Sequence, residues 1–125
     1  MMETVSPNLY VKDLQETISF YQILGFQVIT VVPDNSNPVF ALMMNGSVTF
    51  MFQTFASIEN MLPVVSRQSG GSLLLYIKVK SVRQFYEDIK DKVTVLQGLE
   101  TTFYGATEFS IQDNNNFMLT FAEDE

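Results

Sequence analysis

Glu108, Tyr76 and Tyr10 are the candidate acid or base groups in this 125-residue chain. Burial can tune a carboxyl group for general acid or base work. No spacing pairs these three into a recognisable dyad. Histidine and cysteine are both absent. That removes the commonest general base and the commonest neutral metal ligand. It also excludes Ser-His-Asp and Cys-His mechanisms within one chain, thiolate metal sites and disulfides. Asp and Glu number 14 against 7 Lys and Arg, a net charge of −7. A phosphate backbone is therefore not an expected partner, because nucleic-acid binding needs a basic face. A cationic ligand would be attracted, and the same charge serves solubility. Recognition by polar and aromatic side chains and acid–base work by carboxyl or phenol groups remain open.

Such groups need a scaffold, and the composition supplies one. Apolar residues make up 46%, with 11 Phe and 5 Tyr. One globular domain over 1–125 is expected, large enough for a core without staples. No apolar run reaches the length of a membrane helix. The opening MMETVSPNLY lacks a basic stretch followed by an apolar one, so a cytoplasmic protein is expected.

The hydrophobic pattern places the elements. VSPNLYV (5–11) reads as a strand. Asp13 reads as a helix N-cap, and Leu14, Ile18, Tyr21 and Ile23/Leu24 as a helical stripe that Gly25 stops. Phe26–Val32 reads as a strand ended by Pro33, Asp34 and Asn35. Val39–Met44 and Val48–Gln53 form a hairpin across Asn45-Gly46. This gives β-α-β-β-β over 5–54. A linker, 55–71, carries one helical turn near 57–62. The order then repeats over 72–122. Ser72–Val79 is a strand, and Ser81 resembles a cap. Val82, Phe85, Tyr86 and Ile89 make the stripe. Val93–Leu96 is a strand, and Glu108–Gln112 pairs with Phe117–Ala122 across Asp113, Asn114, Asn115 and Asn116. The fold class is α+β: two βαβββ modules whose strands form a cupped mixed sheet, with the helices on its outer face.

With that order in place, the chain resembles the glyoxalase/bleomycin-resistance/extradiol-dioxygenase superfamily. The carriers are LYVKDLQETISFYQILGF (9–26) and YGATEFSIQDNNNFMLTFAE (104–123). In the first, Val11, Asp13, Leu14, Phe20, Tyr21, Leu24, Gly25 and Phe26 follow the family pattern. In the second, Tyr104 stands for a Trp, and Gly105, Glu108, Phe109 and Asp113 match the bleomycin-resistance branch. Asn114 and Asn116 replace the usual Pro and Gly, and Asn tolerates positive φ. Each matched residue also has a purely structural role, as cap, core or turn.

The resemblance implies where a metal would sit in the metal-dependent branches: near Ser6, at Met51 or Gln53, near Leu74 and at Thr120. These are not imidazole or carboxylate donors. Glu123, three positions past Thr120, should face the other side of the sheet. No metal and no cofactor is therefore expected. Strand alternation gives the helix-side set as Leu9, Val11, Val48, Phe50, Phe52, Leu73, Leu75, Ile77, Val79, Phe109, Ile111, Phe117, Leu119 and Phe121. The opposite parity gives the candidate cleft: Asn8, Tyr10, Thr49, Met51, Gln53, Leu74, Tyr76, Lys78, Glu108, Ser110, Gln112, Met118 and Thr120. Phe103 and Tyr104 would form an aromatic lip beside Gly105. Glu108 is expected to pair with Lys78, with a cationic ligand as the alternative, and the tail Glu123, Asp124 and Glu125 to be solvated.

The mixed lining suits a small amphipathic, partly aromatic molecule. The expected function is metal-free binding or sequestration of a cationic or aromatic compound by a homodimer, with no nucleic-acid or membrane partner. The alternatives are a metal-independent lyase or isomerase using Glu108, Tyr76 or Tyr10, and a non-catalytic structural dimer.

Overall fold

The computed structural model of the protein describes residues 1–34 and 36–125. Asn35, expected in the turn after the second strand, lies outside them. The chain divides into two compact units, Met1–Ser69 and Gly70–Glu125, with the boundary inside the expected linker.

The first unit runs β1 (Asn8–Val11), α1 (Leu14–Ile23), β2 (Gln27–Val32), β3 (Phe40–Asn45), β4 (Val48–Thr54) and a short α2 (Phe55–Ile58). Its sheet has the order β1-β4-β3-β2, with β1 parallel to β4 and the other pairs antiparallel. The second unit repeats the plan with β5 (Leu74–Lys78), α3 (Val82–Ile89), β6 (Thr94–Thr101), β7 (Ala106–Gln112) and β8 (Met118–Asp124). Its order is β5-β8-β7-β6, with β5 parallel to β8. The α+β class and the doubled βαβββ order are those expected. Among the described residues no helix is long and apolar enough to cross a membrane.

Helices α1 and α3 each cover one face of their own sheet through aromatic packing. In the first unit the buried Tyr21 ring of α1 meets Phe52 at 4.7 Å, Phe26 at 5.5 Å and Phe50 at 5.6 Å. In the second, Phe85 of α3 meets Phe121 at 4.9 Å, and Tyr86 meets Phe109 at 5.0 Å. Burying one such side chain contributes about 1.5–3 kcal/mol. Offset and edge-on ring contacts at these distances add to it. Asp13 caps α1 as expected, its Oδ1 accepting the Glu16 N–H at 3.0 Å. Gly25 follows the helix at φ +93°, a conformation that costs a side-chain-bearing residue strain.

Five expectations about the elements need correction. The helical turn expected near 57–62 is α2, at Phe55–Ile58. Leu73, assigned to the core, precedes β5 and is exposed. Val48, Leu75 and Val79 are only half-buried. Strand β6 continues to Thr101, past the expected end at Leu96. Register shifts between Val95 and Gln97 and between Gln97 and Glu100 carry it through the polar, Gly98-containing stretch. Ser81 has cap chemistry but the wrong backbone: at φ +55° its hydroxyl makes no capping bond. Glu123 caps α3 instead, accepting the Ser81 and Val82 N–H groups, each at 3.0 Å.

Candidate ligand-binding faces

Alternation puts successive side chains on opposite faces, and register decides which residues of neighbouring strands share one. In the first unit the face away from α1 carries Asn8 and Tyr10 of β1 beside Met51 and Gln53 of β4. Thr49 lies on the same face. Across β4, the residues Phe40, Leu42 and Met44 of β3 oppose Gln53, Met51 and Thr49. These three β3 residues belong to the face although alternation did not reveal them. Both faces of FALMMN are apolar, so only the pairing assigns them. Every side chain named here is half-buried. A hydrogen-bonded row fixes part of the face: Asn8 Nδ2 donates to Gln53 Oε1 at 3.1 Å, and Gln53 Nε2 donates to Ser57 Oγ at 3.0 Å. The Ser57 hydroxyl donates in turn to the Thr54 carbonyl at 2.7 Å. The buried Asn8 Oδ1 has no partner among the described residues.

In the second unit the face away from α3 carries Leu74, Tyr76 and Lys78 of β5, with Met118, Thr120 and Ala122 of β8 in register beside them. Gln112, Ser110 and Glu108 of β7 oppose Met118, Thr120 and Ala122. From β6, Thr94, Gln97 and Glu100 oppose Gln112, Ser110 and Glu108. The β6 residues were hidden because the strand was expected to end before two of them. Leu74 and Tyr76 are exposed, at 45% and 44%. Ser110 and Thr120 are not open to a ligand. Both are buried, and their hydroxyls bond each other at 2.8 Å.

The charges on this second face are arranged differently from expectation. Lys78 pairs with Asp124 at 2.5 Å, not with Glu108. Register places both Lys78 and Asp124 toward the chain end of β8; Asp124 and Glu125 are exposed, as expected of a solvated tail, but each is ion-paired. Glu125 bonds Thr107 and lies 3.2 Å from Arg83. Glu108 takes its bonds from phenols: Tyr76 donates to Oε2 at 3.0 Å, and Tyr104 lies 2.9 Å from both carboxylate oxygens. Desolvation first, then the adjacent Glu108 carboxylate, push the Tyr76 phenol well above its ordinary range. The Tyr76 hydroxyl thus faces Glu108 as a hydrogen-bond donor. Tyr104 sits in the turn between β6 and β7, where Gly105 takes φ +83°. Its neighbour Phe103 is fully exposed, and their rings meet edge-on at 5.1 Å.

The metal-binding chemistry of this fold does not fit these residues. Ser6 precedes β1, Met51 and Gln53 lie on the open face of the first sheet, and Leu74 and Thr120 on that of the second. None brings an imidazole or carboxylate, and the Thr120 hydroxyl already pairs with Ser110. Among the described residues no group of three or more His, Cys, Asp or Glu is placed to hold a metal ion.

The model of the Glyoxalase/Bleomycin resistance protein/Dioxygenase superfamily matches residues 4–121. No curated protein matches the chain in sequence. Among solved structures, a protein of unknown function from Agrobacterium tumefaciens is similar with TM-score 0.80 and 23% identity, over 100% of this chain and 96% of that one. A glyoxalase/bleomycin resistance protein/dioxygenase family enzyme from Burkholderia phytofirmans gives 0.76 and 23%, over 96% and 97%. A bleomycin resistance determinant encoded on the transposon Tn5 gives 0.71 and 17%, over 99% of each chain. At such identities the likeness is one of fold.

Proposed function

The chain belongs to the glyoxalase/bleomycin resistance protein/dioxygenase superfamily, and from that premise we propose that it binds a small cationic or aromatic organic molecule without a metal. In this reading it acts in the cytoplasm as a homodimer and sequesters its ligand. The observation that carries the reading is the makeup of the open sheet faces. They present Tyr10, Tyr76 and Met118, half-buried or exposed, and carry Met51, Gln53, Leu74 and Thr120 at the positions where a chelating member would need imidazoles and carboxylates. Apolar surface with a few oriented polar groups is the usual lining of a small-molecule site. The amide row from Asn8 through Gln53 to Ser57 supplies fixed polar groups of that kind.

The base role is disfavoured for Tyr76, whose hydroxyl donates to Glu108 and whose phenol is pushed above its ordinary range. A base must be able to accept a proton near the working pH.

The test is a thermal-shift screen of cationic, aromatic and combined compounds. A true ligand at a hundred times its Kd stabilises the folded state by about 2.7 kcal/mol, a rise of several degrees in Tm. Gln53→Ala or Tyr76→Ala is expected to shrink that rise. A broad library that never raises Tm would contradict the reading.

A further inference from the structure

We infer that Glu108, Tyr76 and Tyr104 form a subsite for a protonated nitrogen, a primary ammonium or an amidinium, carried on an aromatic ligand. The inference rests on the small-molecule reading above and adds the charge of the ligand and the residues that meet it. All three residues lie in the second unit.

Among the described residues the ion pairs are Lys78 with Asp124, Arg83 with Glu125, and Lys90 with Glu87. Glu108 is in none of them. The cation nearest by sequence pattern, Lys78, is held by Asp124 at 2.5 Å. The carboxylate is half-buried and meets only two neutral phenols. Register sets Glu100 of β6 directly opposite it. Like charges so placed disfavour one another, and a ligand cation would relieve both. An anion would be repelled.

The acceptor geometry specifies the kind of cation. An ionised carboxylate offers about four lone-pair directions. The Tyr76 and Tyr104 hydroxyls take part of that capacity, and their own oxygens keep lone pairs for an incoming donor. An N–H cation can therefore bond carboxylate and phenol oxygens together, which a quaternary ammonium cannot. Such charge-assisted bonds are the strong ones. The tyrosine rings add a second attraction, since ring faces draw cations within about 6 Å of the centroid. The Tyr76 ring already has the Lys78 Nζ at 5.6 Å. The fully exposed Phe103, edge-on to Tyr104, gives the ligand's aromatic part an apolar surface to lie on.

The probes are 2-phenylethylammonium, its neutral isostere 2-phenylethanol and the anion phenylacetate. The chain has no Trp, so tyrosine fluorescence and the NMR signals of labelled Tyr76 and Tyr104 report directly. The ammonium is expected to bind about tenfold or more tightly than the alcohol, the effect of one charge-assisted hydrogen bond. Phenylacetate should bind more weakly than either. Glu108→Gln should bring the ammonium down to the alcohol's level, with a native far-UV circular dichroism spectrum and a cooperative thermal transition showing that the variant is folded. Glu87→Gln, on the exposed side of α3, removes the same charge elsewhere and should preserve the preference. Equal binding of the three probes, signal changes confined to other residues, or equal loss of preference in Glu87→Gln would each overturn the subsite. If that happens while library compounds still raise Tm, the subsite falls and the binding reading stands.

Discussion

Glu123 stabilises α3 from 42 residues away in the chain, through bonds from two backbone N–H groups at the helix start. Those bonds, Val82 first and then Ser81, hold its carboxyl below the ordinary 4.5. A carboxyl with a depressed folded-state value contributes stability above its unfolded value and loses it as pH falls through the folded one. Wild type and Glu123→Gln should thus differ in Tm at neutral pH and converge as the pH falls from the ordinary 4.5 through the lower folded-state value. A difference that persists undiminished into acid would contradict the cap. Strand parity did turn Glu123 toward the helix side. What the sequence could not show was the positive φ of Ser81, which disables the residue that looks like the cap. A second residue-scale prediction concerns the buried Ser110–Thr120 pair. Thr120→Val leaves the Ser110 hydroxyl unpartnered and should cost about 1–3 kcal/mol in denaturant unfolding. Adding Ser110→Ala should recover most of it, since two apolar partners leave nothing unsatisfied.

The elements most legible from sequence are those with one apolar face and a specific end signal. Helix α1 has both: the stripe Leu14, Ile18 and Tyr21 is buried, Asp13 caps it, and Gly25 ends it at positive φ. Asp13→Ala should cost about 0.5–2 kcal/mol. Gly25→Ala should also destabilise, because a Cβ there is strained and 3.1 Å from the Asn45 amide nitrogen. That amide also bonds the Leu24 carbonyl at 3.2 Å. Both costs would be read as shifts in the unfolding midpoint at unchanged slope. Elements with two similar faces, or with irregular pairing, were less legible. Strand β3 is apolar on both sides, so its share of the open face appears only through its register with β4. Strand β6 passes through two register shifts and Gly98, beyond the expected end at Leu96. The residues hidden for these reasons, Phe40, Leu42, Met44, Gln97 and Glu100, are the ones that complete the faces.

At the scale of the whole molecule, the repeat of one βαβββ plan is the strongest signal, and the family match over residues 4–121 agrees with it. The open faces leave Leu74 and Tyr76 about half exposed. Apolar surface of that kind favours a partner or a ligand. Light scattering on a sizing column should therefore give the mass of two chains, and a monomer at all working concentrations would contradict the dimer. The central claim is that a ligand is held by polar and aromatic side chains alone. It is tested most directly by calorimetric titration of the best compound from the screen, with the protein first stripped by a chelator. The predicted result is an unchanged Kd after stripping and after adding back zinc, nickel, manganese or iron(II). Binding that disappears on stripping and returns with one of those ions would contradict the account.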